Sequence, residues 1–382
     1  MRVVEVTAGD VDALVTGVLL LGSGGGGDAR VYAHVLRSVL AAGPVRLHSP
    51  AELGDAPVLP VGMLGGTRVL GEKLPSGDEL PAAVRALVRW TGVTPAAVMP
   101  FEAAGLNGVL PLPLAHQLGL PLVDADLMGR ALPRVDQLTR VVAGGAVTPM
   151  ALAEPAGQTV VVEGGDPVST ELTVRAFVAQ AGGWAGAVMA PAPAAAALGD
   201  ACLGTLGRAL GLGRAHAGLG DTPAPARVAD ALGGHPVGGG RVVDVRRSPV
   251  GRFGRAAVTV DAPGAGVLRI EAENEYLLVL ADGEPVAASP EVIVLLDRRS
   301  AAPIAADAVR SGDDVLVLVL PAPPWWAARP DAAVHVGPQA FGLGPAAAAP
   351  RPVRPAPAAE PPAPHAVRSA STAAGTGQEA RR

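Results

Sequence analysis

The sequence predicts an α/β N-terminal layered domain, followed by a C-terminal α+β part that contains a small β-barrel or sandwich. Two observations lead to this fold class. Up to about residue 145, apolar runs with strand patterning alternate with segments of helical periodicity, which is typical of a layered domain with a largely parallel sheet. After about residue 236, short apolar runs follow one another closely and are separated by Gly and Pro, as in a small sandwich or barrel.

The N-terminal part begins with a short apolar strand. Thr7 and Asp10 then have the spacing of a helix capping box, and the helical pattern that follows ends in a run of glycines. The other elements predicted here are a second amphipathic helix near 31–40, strands at 57–64, 96–101 and 120–123, and helices at 79–90 and 106–118.

The C-terminal part is predicted to begin with helices and to continue as strands. Its helices are expected at 167–180 and 198–210 and its strands at 185–190, 241–245, 256–260, 267–271, 276–280, 292–296 and 315–320. Beyond residue 344 the chain is rich in Pro and Ala and has no apolar periodicity, so it is predicted to be a disordered tail. We therefore expect domains at 1–165 and 166–344, the second β-rich from about 236, and a tail at 345–382.

Composition excludes several classes of protein. A formal net charge of −5 does not suit nucleic-acid binding, which depends on Lys and Arg that neutralise phosphates. No apolar run is long enough to predict a membrane span, and an acidic N-terminus does not suit a signal peptide. The one cysteine, Cys202, is predicted to be a buried inert thiol and fits a reducing compartment. We expect a cytoplasmic protein, and the oligomeric state, including a homo-oligomer, stays open.

Lys73 is the only lysine among 30 basic residues. It follows Gly71 and Glu72 in a loop after a predicted strand, where an adjacent carboxylate and ammonium can form a proton-transfer pair. A partly buried lysine can serve as a base or nucleophile, which arginine cannot do because it stays protonated. The alternative is a solvated surface lysine.

The glycine run is a second candidate site. Four consecutive glycines allow a backbone to approach a ligand closely and to present N–H groups at the start of the next helix. This favours an anion-binding nest, although a tight helix connection is the alternative. The run also matches G-x-G-x-x-G, but a nicotinamide-binding turn should follow a strand and this run follows a helical pattern. The residues concerned are Gly22, Ser23, Gly24, Gly25, Gly26, Gly27 and Asp28.

Polar residues follow two predicted strands of the N-terminal part. Glu102 and Asn107 come after the strand at 96–101, and Asp124, Asp126 and Arg130 come after the strand at 120–123. Ligand sites in α/β sheets lie at the carboxyl ends of strands, so these side chains could supply general acid–base groups and a clamp for a carbonyl. Asp-x-Asp could also hold Mg²⁺ or another hard cation. The alternative is structural, with Asp124 capping a turn and Asp126 paired with Arg130.

In the β-rich part, Asn274 and Glu275 place an amide and a carboxylate beside a strand. The histidines lack metal-ligand spacing, and no motif requires a cofactor. There is also no nucleophile elbow of the G-x-S-x-G type.

Taken together and in this order, these segments resemble the S-methyl-thiohydantoin desulfurase family over about residues 7–344. The resemblance depends on seven motifs, at 22–28, 71–73, 102–107, 123–133, 274–275, 290–293 and 337–342. It implies an N-terminal α/β domain, a C-terminal β-barrel-like unit, and association with hydantoinase/oxoprolinase-type proteins. The family name implies hydrolytic release of a sulfur group from a methylthio-substituted hydantoin-like ring.

From this resemblance we expect a hydrolase that acts on a small cyclic amide or thioamide. Asp124 or Asp126 is the expected general base, and Lys73, oriented by Glu72, the expected proton donor. Arg130 and Asn107 are expected to hold ring carbonyls, and the glycine-loop N–H groups to stabilise the developing anion. The alternative is a non-catalytic accessory or small-molecule-binding subunit of a hydantoinase/oxoprolinase system.

Overall fold

A computed structural model describes residues 4–66, 69–70, 72–249 and 253–343. The predicted tail and Gly71 lie outside the described residues. Among the described residues, no helix is both long and apolar enough to cross a membrane.

The helices form close to the predicted positions. Local capping defines several of their ends, for example at Asp166, whose side chain accepts hydrogen bonds from the N–H groups of Val168 and Ser169. The α-helices are α1 (Val11–Leu21), α2 (Ala33–Ala41), α3 (Pro50–Leu53), α4 (Glu79–Thr91), α5 (Pro111–Leu118), α6 (Thr139–Val142), α7 (Pro167–Gln180), α8 (Ala197–Asp200), α9 (Thr205–Ala217), α10 (Pro225–Leu232) and α11 (Pro324–Ala327).

The strands form one mixed sheet, one short pair and one antiparallel sheet. They are β1 (Val4–Val6), β2 (Val45–His48), β3 (Pro57–Gly65), β4 (Ala97–Pro100), β5 (Leu122–Val123), β6 (Ala125–Asp126), β7 (Met150–Ala153), β8 (Thr159–Val162), β9 (Trp184–Met189), β10 (Ala192–Pro193), β11 (Cys202–Leu203), β12 (His235–Ser248), β13 (Arg255–Ala262), β14 (Gly266–Glu273), β15 (Glu275–Ala281), β16 (Glu284–Ala288), β17 (Val292–Asp297), β18 (Pro303–Ile304) and β19 (Asp314–Leu320).

The first sheet has the order β1-β2-β5-β4-β3-β9-β7-β8, with β10 also paired to β3. Only β2, β5, β4 and β3 are parallel to one another, so the prediction of a largely parallel sheet is wrong and the sheet is mixed. On the other side of β3 the sheet is antiparallel, because β9 pairs antiparallel with β3, β7 with β9, and β8 with β7. The sheet therefore continues past residue 165, and the domain boundary stays a prediction.

The second large sheet is antiparallel, with the order β16-β15-β14-β13-β12-β19-β17-β18. Its inner face is aliphatic, as expected for a chain in which aromatic residues make up only 3%. Among the described residues no ladder joins β16 to β18, so a closed barrel stays a prediction.

The helix predicted at 198–210 is interrupted. Residues Cys202 and Leu203 form β11, which pairs with β6 opposite Asp126 and Ala125, and α9 begins only after Gly204. Gly204 has a φ of 69°, a left-handed conformation that ends the strand and turns the chain into α9. The buried thiol predicted for Cys202 is confirmed, but it lies on a strand rather than on a helix.

Candidate functional site

A cavity of about 640 Å³ lies beyond the carboxyl ends of the parallel strands β3 and β4. This is where ligands bind in α/β sheets, because side chains and loops that follow neighbouring strands converge there. The turn between β14 and β15 also reaches it, so both large sheets contribute to one site. The predicted site residues that line the cavity are Gly26, Glu102, Asn107, Asn274 and Glu275.

The other predicted site residues do not line this cavity. Gly24, Gly25, Gly27 and Asp28 line a neighbouring cavity of about 750 Å³, which shares Asn274 with the first. The remaining predicted residues, which line neither cavity, are Ser23, Glu72, Lys73, Asp124, Asp126 and Arg130.

The glycine loop passes between the two sheets at close range. Ser23 is buried; its hydroxyl donates to the Ile293 carbonyl at 2.7 Å, and its carbonyl accepts from the Tyr276 N–H at 2.7 Å. A β-carbon on Gly24 would overlap the ring of Tyr276, and one on Gly25 would overlap the carboxyl group of Glu275. The glycines therefore permit contacts that any side chain would prevent.

Part of the loop backbone is available to a ligand. Within the described part of the chain, the N–H groups of Gly26 and Gly27 have no hydrogen-bond partner. Both residues have positive φ, which glycine adopts readily, and Gly26 lies beside Glu102 on the cavity wall. Asp28 caps the turn that follows by accepting from the Arg30 N–H at 3.0 Å.

Glu102 and Glu275 form a pair of buried carboxyl groups at the polar end of the cavity. Their residues are 4% and 1% exposed. Burial, and then the charge of Glu275, raise the pKa of Glu102 well above its usual range. Burial raises the pKa of Glu275 to about 7, although the charge of Arg130 opposes that rise. Two carboxyl groups that interact in this way titrate as a unit, and one of them keeps a proton near neutral pH.

Arg130 lies behind the two carboxyl groups as a fully buried cation. Its guanidinium donates to the carbonyl oxygens of Ala131, Tyr276 and Glu291 at 3.1, 3.0 and 2.5 Å. Burial lowers the pKa of Arg130 to about 10, and the charge of Glu275 opposes that change first. One guanidinium balances one carboxylate, so the second carboxyl group is left to be protonated. The pairing of Arg130 with Asp126 that we considered is absent here, because carbonyl oxygens occupy its guanidinium.

Asn107 and Asn274 are fixed by local hydrogen bonds. The side-chain oxygen of Asn107 accepts from the Met63 N–H at 2.7 Å, which ties it to the end of β3. Asn274 has a φ of 64° at the one-residue turn between β14 and β15, and its amide donates to Glu275 at 2.5 Å. The Oε2 atom of Glu275 is buried without a hydrogen-bond partner among the described residues, so its capacity to accept a hydrogen bond is unused.

Asp126 is held by backbone groups on every side. Its carboxylate accepts from the N–H groups of Ala103 at 2.9 Å, of Met128 at 2.6 Å and of Gly129. Burial raises the pKa of Asp126 to about 6, against these three hydrogen bonds. The side chain therefore orders the two loops that follow β4 and β6, and it does not line the cavity.

Asp124 caps α9 from a different part of the chain. Its Oδ1 accepts from the N–H groups of Leu206 and Gly207 at 2.8 and 3.1 Å. Gly204, the residue at the N-cap of the helix, has no side chain that could accept these hydrogen bonds. Burial raises its pKa. Capping of this kind agrees with the structural alternative considered for Asp124.

We expect Asp124→Ala to lower the free energy of unfolding by about 1–2 kcal/mol, because two N–H groups of α9 lose their acceptor. Asp124→Asn keeps an acceptor oxygen and should stay close to wild type. Chemical denaturation measures both changes, and turnover should fall less than about two-fold in either variant. A normal stability combined with lost turnover in Asp124→Ala would instead make Asp124 a catalytic group.

Lys73 has a different partner from the one expected. Its ammonium pairs with the buried Glu154 at 2.7 Å and also donates to the Ala181 carbonyl. Glu72 is exposed and makes no side-chain hydrogen bond within the described residues. The expectation that Glu72 orients Lys73 is therefore corrected, because adjacent side chains in this loop point to different surroundings and Glu154 approaches from the turn after β7.

The possible cation site at Asp124 and Asp126 has no free carboxylate pair. Both oxygens of Asp126 and the Oδ1 atom of Asp124 accept hydrogen bonds from backbone N–H groups, which compete with a metal ion for the same lone pairs. Among the described residues, no group of three or more His, Cys, Asp or Glu side chains could hold a metal ion.

Two arginines and a phenylalanine are among the cavity residues that the sequence did not indicate: Arg134, Arg175 and Phe253. Arg134 pairs with Asp136 at 3.0 Å, and Arg175 pairs with Glu171 at 2.7 Å and lies 5.0 Å from the centre of the Phe253 ring. Arg134 follows soon after Arg130, and Phe253 is one of only four phenylalanines, but neither fact alone indicates a site.

The raised pKa of Glu275 makes stability depend on pH. The folded carboxyl holds its proton more tightly than the unfolded one, so this contribution is present below about 4.5 and is lost as pH rises through about 7. We expect the wild-type Tm to fall by several degrees between pH ~5 and pH ~8, and to fall less in Glu275→Gln, which stays neutral. Calorimetry at both pH values measures this difference. Equal changes in Tm for the two proteins would contradict the raised pKa.

Comparison with known proteins places the chain in a family. Models of the S-Me-THD-like N-terminal and C-terminal domains match residues 9–164 and 165–350. The fold is similar to the crystal structure of a Chromobacterium violaceum protein, with a TM-score of 0.74, 25% identity, and coverage of 90% of this chain and 98% of that chain. A search of curated proteins found no match. The chain therefore belongs to the S-methyl-thiohydantoin desulfurase family that its motifs predicted.

Proposed function

We propose that the protein hydrolyses S-methyl-thiohydantoin-type rings to a hydantoin and methanethiol. The observation that carries this proposal is the pair of buried carboxyl groups, Glu102 and Glu275, at the polar end of a cavity large enough for a substituted ring. The family membership supports the same substrate class.

The two carboxyl groups suit opposite roles. Glu275 is the carboxylate whose charge Arg130 stabilises most, and its Oε2 is free to accept a proton from water. Burial, and then the charge of Glu275, raise the pKa of Glu102 well above its usual range, so Glu102 can keep the proton and act as the acid. Environments that drive two pKa values apart in this way assign a base and an acid.

The reaction is balanced without another reagent. Water bonds to the ring carbon that carries the methylthio group while Glu275 takes a proton from the water and Glu102 gives its proton to the neighbouring ring nitrogen. The carbon–sulfur bond then breaks, and methanethiolate takes the proton held by Glu275. The hydroxyl group of the intermediate returns a proton to Glu102, which leaves hydantoin and the pair in its starting state.

Other cavity groups can hold the ring. The unpartnered N–H group of Gly26 can stabilise negative charge on the substrate, because a preorganised donor of this kind is already desolvated when the charge develops. Asn107 and Asn274 present amide groups on the same wall and can bind the amide edge of the ring. The roles proposed here for Glu102 and Glu275 take the place of those expected for Asp124, Asp126 and Lys73.

Incubation of the purified protein with S-methyl-thiohydantoins in ¹⁸O-labelled water tests the proposal. We expect equal amounts of methanethiol and of hydantoin with the label in its new carbonyl group. Substrate that is bound but never converted would overturn the hydrolase proposal, and would favour the role of accessory subunit beside a hydantoinase/oxoprolinase-type partner.

A further inference from the structure

Part of the cavity lining is an apolar wall. Phe101, Met128, Leu138, Val178 and Leu172 line this wall. A cavity of about 640 Å³ is within the range of ~300–1,000 Å³ that is usual for drug-sized ligands, and a bare five-membered ring is far smaller than such ligands. A ring held at the glutamates would therefore leave the wall uncovered unless it carried a substituent.

The two arginines that line the cavity are each paired with a carboxylate. The guanidinium of Arg134 is paired with Asp136, and that of Arg175 with Glu171. An anionic substituent on the apolar wall would therefore lose its hydration without gaining a cation that is not already paired.

Leu172 is the exposed edge of this wall. It lies on α7, lines the cavity and is 52% exposed. Val168 lies one turn earlier on the same helix and is 49% exposed, but it does not line the cavity. The two residues thus lie on the same helix and are similarly exposed, but only Leu172 contacts the cavity.

We propose that the preferred substrate carries a large apolar ring substituent, of the kind present in rings derived from leucine, methionine or phenylalanine, and that this group packs on the wall of the cavity. The inference rests on the proposed function, because it takes the glutamate end as the place of the ring. It adds the substrate class, which neither the family nor the acid–base pair specifies.

Two series of compounds test this inference. S-methyl-thiohydantoins derived from glycine, leucine and glutamate are compared in turnover, and the corresponding hydantoins are compared in binding by calorimetry. We expect the leucine-derived ring to exceed the glycine-derived ring by about 10–100-fold in kcat/KM and in affinity, and the glutamate-derived ring to be the poorest. Leu172→Ser should reduce the preference for leucine over glycine about three- to ten-fold, and Val168→Ser should leave it unchanged.

The outcomes separate the two proposals. Turnover of all rings at similar rates, or best turnover of the glutamate-derived ring, would overturn the inference while the hydrolase proposal stands. Binding in the expected order without turnover would overturn the hydrolase proposal while the inference stands. Absence of binding across both series would overturn the inference, because no ring would then occupy the cavity.

Discussion

Glu102→Gln and Glu275→Gln are each expected to lose about 10²–10⁴-fold in kcat for ring hydrolysis. Glutamine has the size and shape of the carboxyl group but neither gives nor takes the proton that each step requires. Because both side chains are buried and carry raised pKa values, their neutral replacements should fold as well as the wild type. Turnover measured beside circular dichroism and Tm separates loss of chemistry from loss of structure.

Glu284→Gln is the matched control for these variants. Glu284 is exposed on β16 and lines neither cavity, so the same substitution there should leave kcat unchanged. Full activity in Glu102→Gln or in Glu275→Gln would remove that residue from the mechanism. Unfolding of both variants would show instead that the carboxyl groups are structural.

Gly17→Ala and Gly213→Ala are each expected to lower the free energy of unfolding by about 3 kcal/mol. α1 and α9 pack with their backbones in contact at these two glycines. A β-carbon on Gly17 would overlap the carbonyl oxygen of Ala209, and one on Gly213 would overlap that of Ala13. Because the obstacle is backbone, the helices themselves would have to separate. Denaturant titration measures the change.

Gly211→Ala on the same helix provides the control. No atom lies within 4 Å of the position its β-carbon would take, and the residue is inside α9. Alanine is favoured over glycine in a helix by about 1 kcal/mol, so Gly211→Ala should stabilise the protein. Similar stability for the three variants would contradict the close packing of α1 against α9.

Several helices and strands could be predicted from local sequence patterns. The helix expected at 167–180 has those bounds, and the strand expected at 57–64 ends one residue later. Sequence patterns did not predict the elements whose structure depends on pairing with a distant part of the chain. β11 interrupts a run with helical composition because Cys202 pairs with Asp126, and the antiparallel addition of β9 to β3 has no local signature.

The site was predicted only in part, for a physical reason. Glu102, Asn107, Asn274 and Glu275 were found because polar groups that follow strands converge at a sheet edge. Asp124 follows a strand in the same way, but its carboxylate caps a helix. Sequence shows that a carboxyl group is near the edge of a sheet, whereas the direction it faces depends on which N–H groups the fold brings close.

Lys73 shows the same limit. As the only lysine it was a reasonable candidate for chemistry, and its neighbour Glu72 a reasonable partner. The structure pairs it instead with Glu154, which is 81 residues away in the chain. Contacts over such distances depend on how β7 pairs with β9 in the first sheet, and residue spacing does not predict that pairing.

The proposed chemistry depends on a proton that Glu102 keeps at a pH where an ordinary glutamate has lost it. Infrared spectroscopy detects the carbonyl stretch of a protonated carboxyl group directly. At pH ~8 we expect this band in the wild type and its loss in Glu102→Gln, since glutamates with the usual pKa of about 4.3 are ionised there. Absence of the band from the wild type, or its persistence in Glu102→Gln, would contradict the assignment of Glu102 as the acid.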